Sequence, residues 1–285
     1  MGAANGAIDG PTVMCVNGEL VAPDRPVLRP DDHALVGDGV FEAIKVHAGV
    51  PFALTRHLRR LGASARPLGI EIDHGALRST IDAVLATPQA QASPCWLRIT
   101  VTGGSAPLGT GQVGGRPTVV AAVAPMRPWA PTTSVVIAPW TRNERGATAG
   151  LKTISYADNV IALRDAHRRG AEEAIFANTS GRLCEGTGTN VFVRVGDELV
   201  TPTLASGCLP GITRGLLLEW MPEIVERDVP IDALRDAEEA FVTSTSRDVH
   251  PIATVDGASV GDAPGTLTQR AIDVWRANAA IDADP

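Results

Sequence analysis

Three prolines within seven residues, Pro125, Pro128 and Pro131, interrupt the chain near its middle. Proline has no N–H to give to a helix or to a sheet ladder, and it stiffens the backbone around it. The segment from Pro125 to Pro131 therefore reads as a rigid connector, and each half of the chain must bury its apolar faces within itself. A chain of 285 residues has room for two modest domains or one large one, and either buries a substantial core. The organisation expected is a small domain over residues 13–126 and a larger one over 132–285. The small, polar residues 1–12 read as a poorly ordered extension.

The two halves carry different patterns. The first opens with short strands, Val13 to Val16 and Glu19 to Val21 around the turn Asn17-Gly18, then Val40 to His47 leading through Ala48-Gly49 to Pro51-Phe52. A helix is expected from Thr55 as N-cap, with Leu58 and Leu61 inward, and a second one after Asp73. Strands return at Trp96 to Thr102 and at Thr118 to Val123, so this half is α+β. The second half alternates: strand Ser134 to Ala138, helix Ala157 to Arg169 stopped by Gly170, and strand Glu173 to Phe176. The hairpin Asn190 to Thr201 follows, then a helix near Gly211, a strand Glu239 to Thr243 and a last helix Leu267 to Ala279. The chain as a whole is of the α/β class.

Composition narrows the partners. Net charge is −7 with 44% hydrophobic and 20% charged residues, no basic cluster exceeds short arginine pairs, and no apolar stretch has the length of a membrane span. Nucleic acid and membrane are not expected partners. The four cysteines, Cys15, Cys95, Cys184 and Cys208, are far apart, and the start has no export signal, which points to a reducing cytoplasm. The six histidines show no ligand spacing, so no metal is expected.

Among 25 basic residues only Lys45 and Lys152 are lysines. Lysine can lose its proton and act as an amine nucleophile, which arginine cannot. Lys152, in Gly150-Leu151-Lys152-Thr153, precedes the Ala157 helix, where partial desolvation would free its amine. A solvated lysine at a helix start is the plain alternative. Lys45 falls on the strand face of Phe41, Ala43 and His47, and a solvated strand lysine implies no chemistry there. Gly211-Ile212-Thr213 opens a helix whose first N–H groups lack internal partners, a place for an anion as well as for an ordinary cap. Thr243-Ser244-Thr245-Ser246 supplies hydroxyls at a strand end. Glu185 stands among small residues in Cys184-Glu185-Gly186-Thr187-Gly188, between two strands.

Taken in order, GDGVFE, HLRRL, GLKT, CEGTGTNVF, LPGITR and TSTSRDVHP resemble the class IV, or fold type IV, aminotransferase family, from about Val16 to Ala253. That family includes branched-chain aminotransferases, D-amino-acid aminotransferases and aminodeoxychorismate lyases. The resemblance implies a D-amino-acid aminotransferase-like fold with a barrel-like second domain, the cofactor pyridoxal 5′-phosphate (PLP), and a homodimer. It also implies roles. Lys152 matches the lysine that forms the internal aldimine and shuttles a proton. Glu185 matches the carboxylate facing the pyridine nitrogen, and Arg60 the arginine on the cofactor phosphate. Gly211, Ile212, Thr213 and Thr245 match further phosphate ligands. Tyr156, the only tyrosine, matches the position near the ring oxygen.

The branch is read from departures. The loop Gly103 to Thr110 lacks the arginine and histidine with which the D-amino-acid pattern traps a carboxylate. Phe41-Glu42-Ala43 lacks the hydroxyl of the lyase pattern. Trp140 and Arg98 resemble pocket residues of the branched-chain branch, with Phe41 and Ser246 completing the candidate substrate set. The activity implied is transfer of an amino group between an amino acid and a 2-oxo acid. The alternative is an aminodeoxychorismate lyase, releasing pyruvate and 4-aminobenzoate.

Overall fold

The structure, a computed structural model, describes residues 12–22, 24–25, 27–92, 94–107 and 115–285. Apart from Thr12, the expected N-terminal extension lies outside the described residues, as do Leu108 to Thr110 of the Gly103 loop.

The first part of the chain runs β1 (Val13–Val16), β2 (Glu19–Val21), β3 (Gly39–His47), β4 (Val50–Pro51), α1 (Leu54–Ala65), α2 (His74–Leu85), α3 (Pro88–Gln91), β5 (Cys95–Thr102) and β6 (Val119–Pro125). Its sheet has the order β2-β1-β6-β5-β3-β4, antiparallel throughout. Alternation along β3 buries Val40, Glu42, Ile44 and Val46, and the apolar three join Leu61, Leu77 and Ile81 of the helices in one core. Truncating Leu61 or Ile81 to alanine would cost about 2–5 kcal/mol. The other face of β3 carries Phe41, Ala43 and Lys45.

Helix α1 differs from expectation at its start. Ala53, with φ of 53°, precedes it and offers no side-chain cap. Thr55 lies inside the helix, and Asp284 from the far end of the chain accepts both its N–H (2.9 Å) and its hydroxyl. Asp73 does cap α2, accepting the Ala76 N–H.

The second part runs β7 (Thr133–Arg142), α4 (Ala157–Arg168), β8 (Glu173–Asn178), β9 (Leu183–Gly186), β10 (Asn190–Val195), β11 (Glu198–Thr201), α5 (Ile212–Trp220), β12 (Val225–Glu226), β13 (Ala240–Ser244), β14 (Asp248–Val255), β15 (Ala258–Ser259) and α6 (Thr266–Ala279). The sheet order is β12-β11-β10-β13-β14-β7-β8-β9, with β15 on β14. Strand β7 is parallel to both β8 and β14, and α4 makes the crossover between β7 and β8. Strand β9 returns beside β10, so the sheet curls into a half-barrel. Helices α5 and α6 cover its outer side, where Leu216, Leu217 and Trp275 pack near the stacked rings of Phe192 and Phe241.

Two differences from the sequence reading matter for the site. Strand β7 continues past Ala138 and Pro139 to Arg142, because its register with β8 shifts between Ile137 and Thr141 and absorbs the proline. Glu185 sits within a strand, opposite Phe176, where the glycines around it suggested a loop.

The two sheets meet along β3. Phe41 N–H donates to Lys152 O (3.0 Å) and Ile154 N–H to Gly39 O (2.9 Å), so residues 152–154 lie alongside the start of that strand. Lys45, expected to be solvated, instead forms an ion pair with Asp248 at the head of β14.

Candidate active site

A cleft of about 370 Å³ opens between the sheets, lined by Arg60, Lys152, Tyr156, Glu185, Gly211, Ile212, Thr213, Thr245 and Ser246 among others. Five chain segments contribute these residues, and each is delivered by local structure. Arg60 comes from the inner face of α1, together with His57, Leu61 and Ser64, at the three- and four-residue spacing of a buried helical stripe. Ser64 Oγ accepts the Lys152 N–H at 3.0 Å, which fixes the lysine backbone against that helix.

Lys152 is held by two surfaces. Its backbone lies on β3, and its Nζ sits 4.4 Å from the centre of the Phe41 ring. Tyr156 meets the same ring edge-on at 5.3 Å. Burial, followed by the positive charge of Arg60, pushes the Lys152 amine down to about 8, against the opposing pull of Glu42 and Glu185. The free amine, the form that attacks a carbonyl carbon, is then far more accessible near neutrality than in an ordinary lysine. Tyr156 moves the other way: burial and the Glu185 charge raise its phenol to about 12.

Glu185 is anchored at both oxygens. The Leu209 N–H donates to Oε2 at 2.8 Å, and Arg142 Nε lies 3.2 Å from Oε1. Burial raises the Glu185 carboxyl, while Arg142 and the Leu209 N–H act against that rise. Arg142 is itself positioned by its neighbours: Nη1 donates to Asn159 Oδ1 (3.0 Å), and the guanidinium lies 4.4 Å over the Phe176 ring. Arg142 and Asn159 were not legible as site residues. The only signal was an arginine at the end of a strand, and the register shift in β7 made its direction unpredictable from alternation.

At the far end of the cleft, α5 starts at Gly211 with no side-chain cap. A Cβ on Gly211 would come 1.9 Å from Asn190 Oδ1, so only glycine allows this close approach. Arg60 reaches the same corner, with Nη1 donating to Pro210 O at 3.0 Å. The Thr243 hydroxyl, on the strand leading to Thr245, is buried without a partner.

Not every candidate residue lies in this cleft. Phe41 borders it through its contacts with Lys152 and Tyr156. Arg98 lines an adjoining pocket of about 490 Å³ together with Trp96, Trp129, Tyr156, Leu163 and Ser246. Its guanidinium lies 4.0 Å over the Phe41 ring and makes no salt bridge among the described residues. Trp140 lines neither space: it sits within the register shift in β7 with 45% of its surface exposed. The tryptophans lining the pocket are Trp96 and Trp129. Among the described residues no group of His, Cys, Asp and Glu is arranged to hold a metal ion, and no helix is long and apolar enough to cross a membrane.

Comparison with known proteins bears on the family and the fold. A D-alanine aminotransferase of Bacillus licheniformis is 31% identical over 266 residues, 89% of this chain and 92% of that protein. An aminodeoxychorismate lyase of Bacillus subtilis is 28% identical over 263 residues, covering 89% and 90%. In shape, the PLP-bound form of a hypothetical aminotransferase of Mycobacterium tuberculosis superposes with a TM-score of 0.81 at 25% identity, covering 96% and 100% of the two chains. Residues 39–255, from the first strand of the cleft to the last, match the family described as amino-transferase class IV. With that span matched and the fold shared, the chain belongs to the class IV aminotransferases, a PLP-dependent family.

Proposed function

We propose that this protein is an aminotransferase, moving an amino group between an amino acid and a 2-oxo acid, with Lys152 as the reacting lysine. The observation that carries the reading is the convergence on one cleft of a half-buried lysine whose amine is lowered to about 8 and a half-buried carboxylate held by Arg142 and Leu209.

The residues present fit PLP. The uncapped start of α5, the Arg60 guanidinium and the hydroxyls of Thr213 and Thr245 supply donors for a phosphate at one end. The Glu185 carboxylate lies on another wall of the same cleft and suits a protonated ring nitrogen. Tyr156 lines the same cleft, with a phenol raised to about 12 that stays protonated and can donate. When bound, PLP supplies an electron-accepting ring that stabilises negative charge at the substrate Cα.

The chain's own work is then proton handling and orientation. Lys152, whose amine faces the cleft, would be the base that takes the substrate Cα proton and returns it one position away. Glu185, whose negative form Arg142 and the Leu209 N–H favour against burial, would face the ring nitrogen and favour its protonated form. Arg98 is free to meet a substrate carboxylate, and the apolar walls from Trp96, Trp129 and Leu163 favour a side chain with apolar surface. Transfer is favoured over the lyase reaction by the lining itself: Ala43, which borders the cleft, has no hydroxyl to protonate a departing group.

A panel of amino donors with 2-oxoglutarate tests the proposal. Keto-acid formation coupled to glutamate formation is the expected result. Pyruvate and 4-aminobenzoate from aminodeoxychorismate, with no turnover across the donor panel, would replace it by the lyase activity. A homodimer is part of the same proposal.

A further inference from the structure

Glu42 occupies an apolar position. It alternates with Val40, Ile44 and Val46 on the inner face of β3 and has no exposed surface. A carboxylate there is unfavourable unless both oxygens are satisfied and its charge is matched. Arg60 meets it side-on: Nε donates to Oε1 at 2.8 Å and Nη2 to Oε2 at 2.7 Å. His57, one turn earlier on α1, donates from Nδ1 to Oε2 at 2.7 Å. The donating nitrogen identifies the tautomer as the Nδ1–H form, and His57 Nε2 is left buried without a partner.

Two parallel bonds to one carboxylate fix the plane of a guanidinium as well as its position. With Nε and Nη2 committed to Glu42, Nη1 is the nitrogen left to face outward, and it points to Pro210 O at the start of α5. We infer that Glu42 is a positioning residue for cofactor phosphate recognition: it holds the Arg60 guanidinium edge toward the α5 start without touching the phosphate itself. This rests on the reading that Arg60 faces the phosphate.

The charges agree with such a role. Burial pushes the Glu42 carboxyl up, but Arg60 and the His57 hydrogen bond outweigh it and hold it down to about 2. The carboxylate thus stays ionised at any working pH, and the Arg60 charge is largely matched within the protein. Arg60 then contributes direction more than net charge, and the start of α5 contributes the rest of the anion binding.

The test compares binding of PLP with that of pyridoxal, which lacks the phosphate, to the apoprotein by fluorescence titration, with melting temperature recorded for each variant. Glu42→Gln places an amide N–H₂ against a guanidinium donor and breaks the two-bond grip. PLP affinity should fall at least about tenfold, the scale on which outer partners of a ligand-holding side chain act, while pyridoxal affinity stays within about twofold. In an Arg60→Met background the same Glu42→Gln change should alter PLP affinity by less than about twofold, since its effect runs through Arg60. Equal losses for PLP and pyridoxal, or unchanged PLP affinity, would overturn the inference. If Glu42→Gln does not fold, Glu42→Asp retains the charge but cannot reach both nitrogens, and the same phosphate-specific loss is expected. If Arg60→Met itself weakens both ligands equally, the placement of Arg60 at the phosphate fails and the inference falls with it. A phosphate-specific loss in Arg60→Met with none in the Glu42 variants overturns the inference alone.

Discussion

Arg142 Nε lies 3.2 Å from Glu185 Oε1, and the two residues arrive there from β7 and β9, strands separated in the sheet by β8. The pair spans the middle strand at its Phe176 ring, over which the arginine is stacked. This is the contact that most opposes the rise which burial imposes on the Glu185 carboxyl.

Removing the arginine should therefore act through Glu185. In Arg142→Met the burial that already raises the Glu185 carboxyl is no longer opposed by a cation, so its pKa rises further. The acid limb of the pH–rate profile should move to higher pH, with activity near neutrality reduced at least about tenfold, roughly 1.4 kcal/mol. A carboxyl with a raised folded pKa loses stability as pH rises through its titration, so the melting temperature of this variant should fall further below that of wild type as pH is raised. An unchanged acid limb would remove Arg142 from this role.

Glu185→Gln separates holding the cofactor from activating it. The phosphate contacts do not involve Glu185, so PLP should remain bound. Cα–H cleavage should slow by about two orders of magnitude, roughly 3 kcal/mol. Single-turnover kinetics beside a PLP titration checks both halves, and normal turnover would refute the assignment.

The two lysines should behave oppositely. Lys152→Ala is expected to abolish turnover and the visible absorbance of lysine-bound cofactor, whereas Lys45→Ala should retain both. Lys45 is paired with Asp248 across the two sheets, so its loss should appear as a modest fall in melting temperature, about 1 kcal/mol or less.

Lys152 also makes a prediction for the apoprotein. Its amine is lowered to about 8 by burial and by Arg60, so the folded state disfavours its protonated form. Stability from this group is absent at low pH and is gained as pH rises from the folded value to the ordinary lysine range. Lys152→Met apoprotein should therefore melt higher than wild type at pH 7, with the difference closing above about pH 10. Thermal melts across that range decide it.

At the distant end of α1, Asp284→Ala removes the acceptor for the Thr55 N–H and hydroxyl. A loss of about 1 kcal/mol is expected, as for a helix cap. Faster amide exchange at the start of α1 should accompany it. Because Arg60 lies on the same helix, PLP affinity should weaken slightly as well.

Much of this fold was legible because the signals are local. The period-two alternation of β3, the Asp73 cap and the Asn17-Gly18 turn depend on neighbours within a few residues, and each formed where the sequence put it. The start of α1 was not legible, since its cap arrives from Asp284, 229 positions away. Strand β9 was missed for a similar reason: Leu183 to Gly186 is extended because β8 pairs with it, and pairing energy exceeds local preference.

The sequence by itself determined the types of group available to the site and their order along the chain. Two lysines, a carboxylate among small residues, a helix start at Gly211 and HLRRL are properties of single segments, and together they carried the family resemblance. Only the tertiary structure decided which of these groups face one another. Lys152 became a lowered amine because residues 152–154 lie against β3, and Glu185 gained its counter-ion because a register shift in β7 brings Arg142 across β8. Glu42, legible as part of GDGVFE but unreadable in purpose, acquired one when α1 packed His57 and Arg60 against it. Charge and hydrogen bonding depend on distance in space, falling off within a few ångströms, and distance along the chain does not report it.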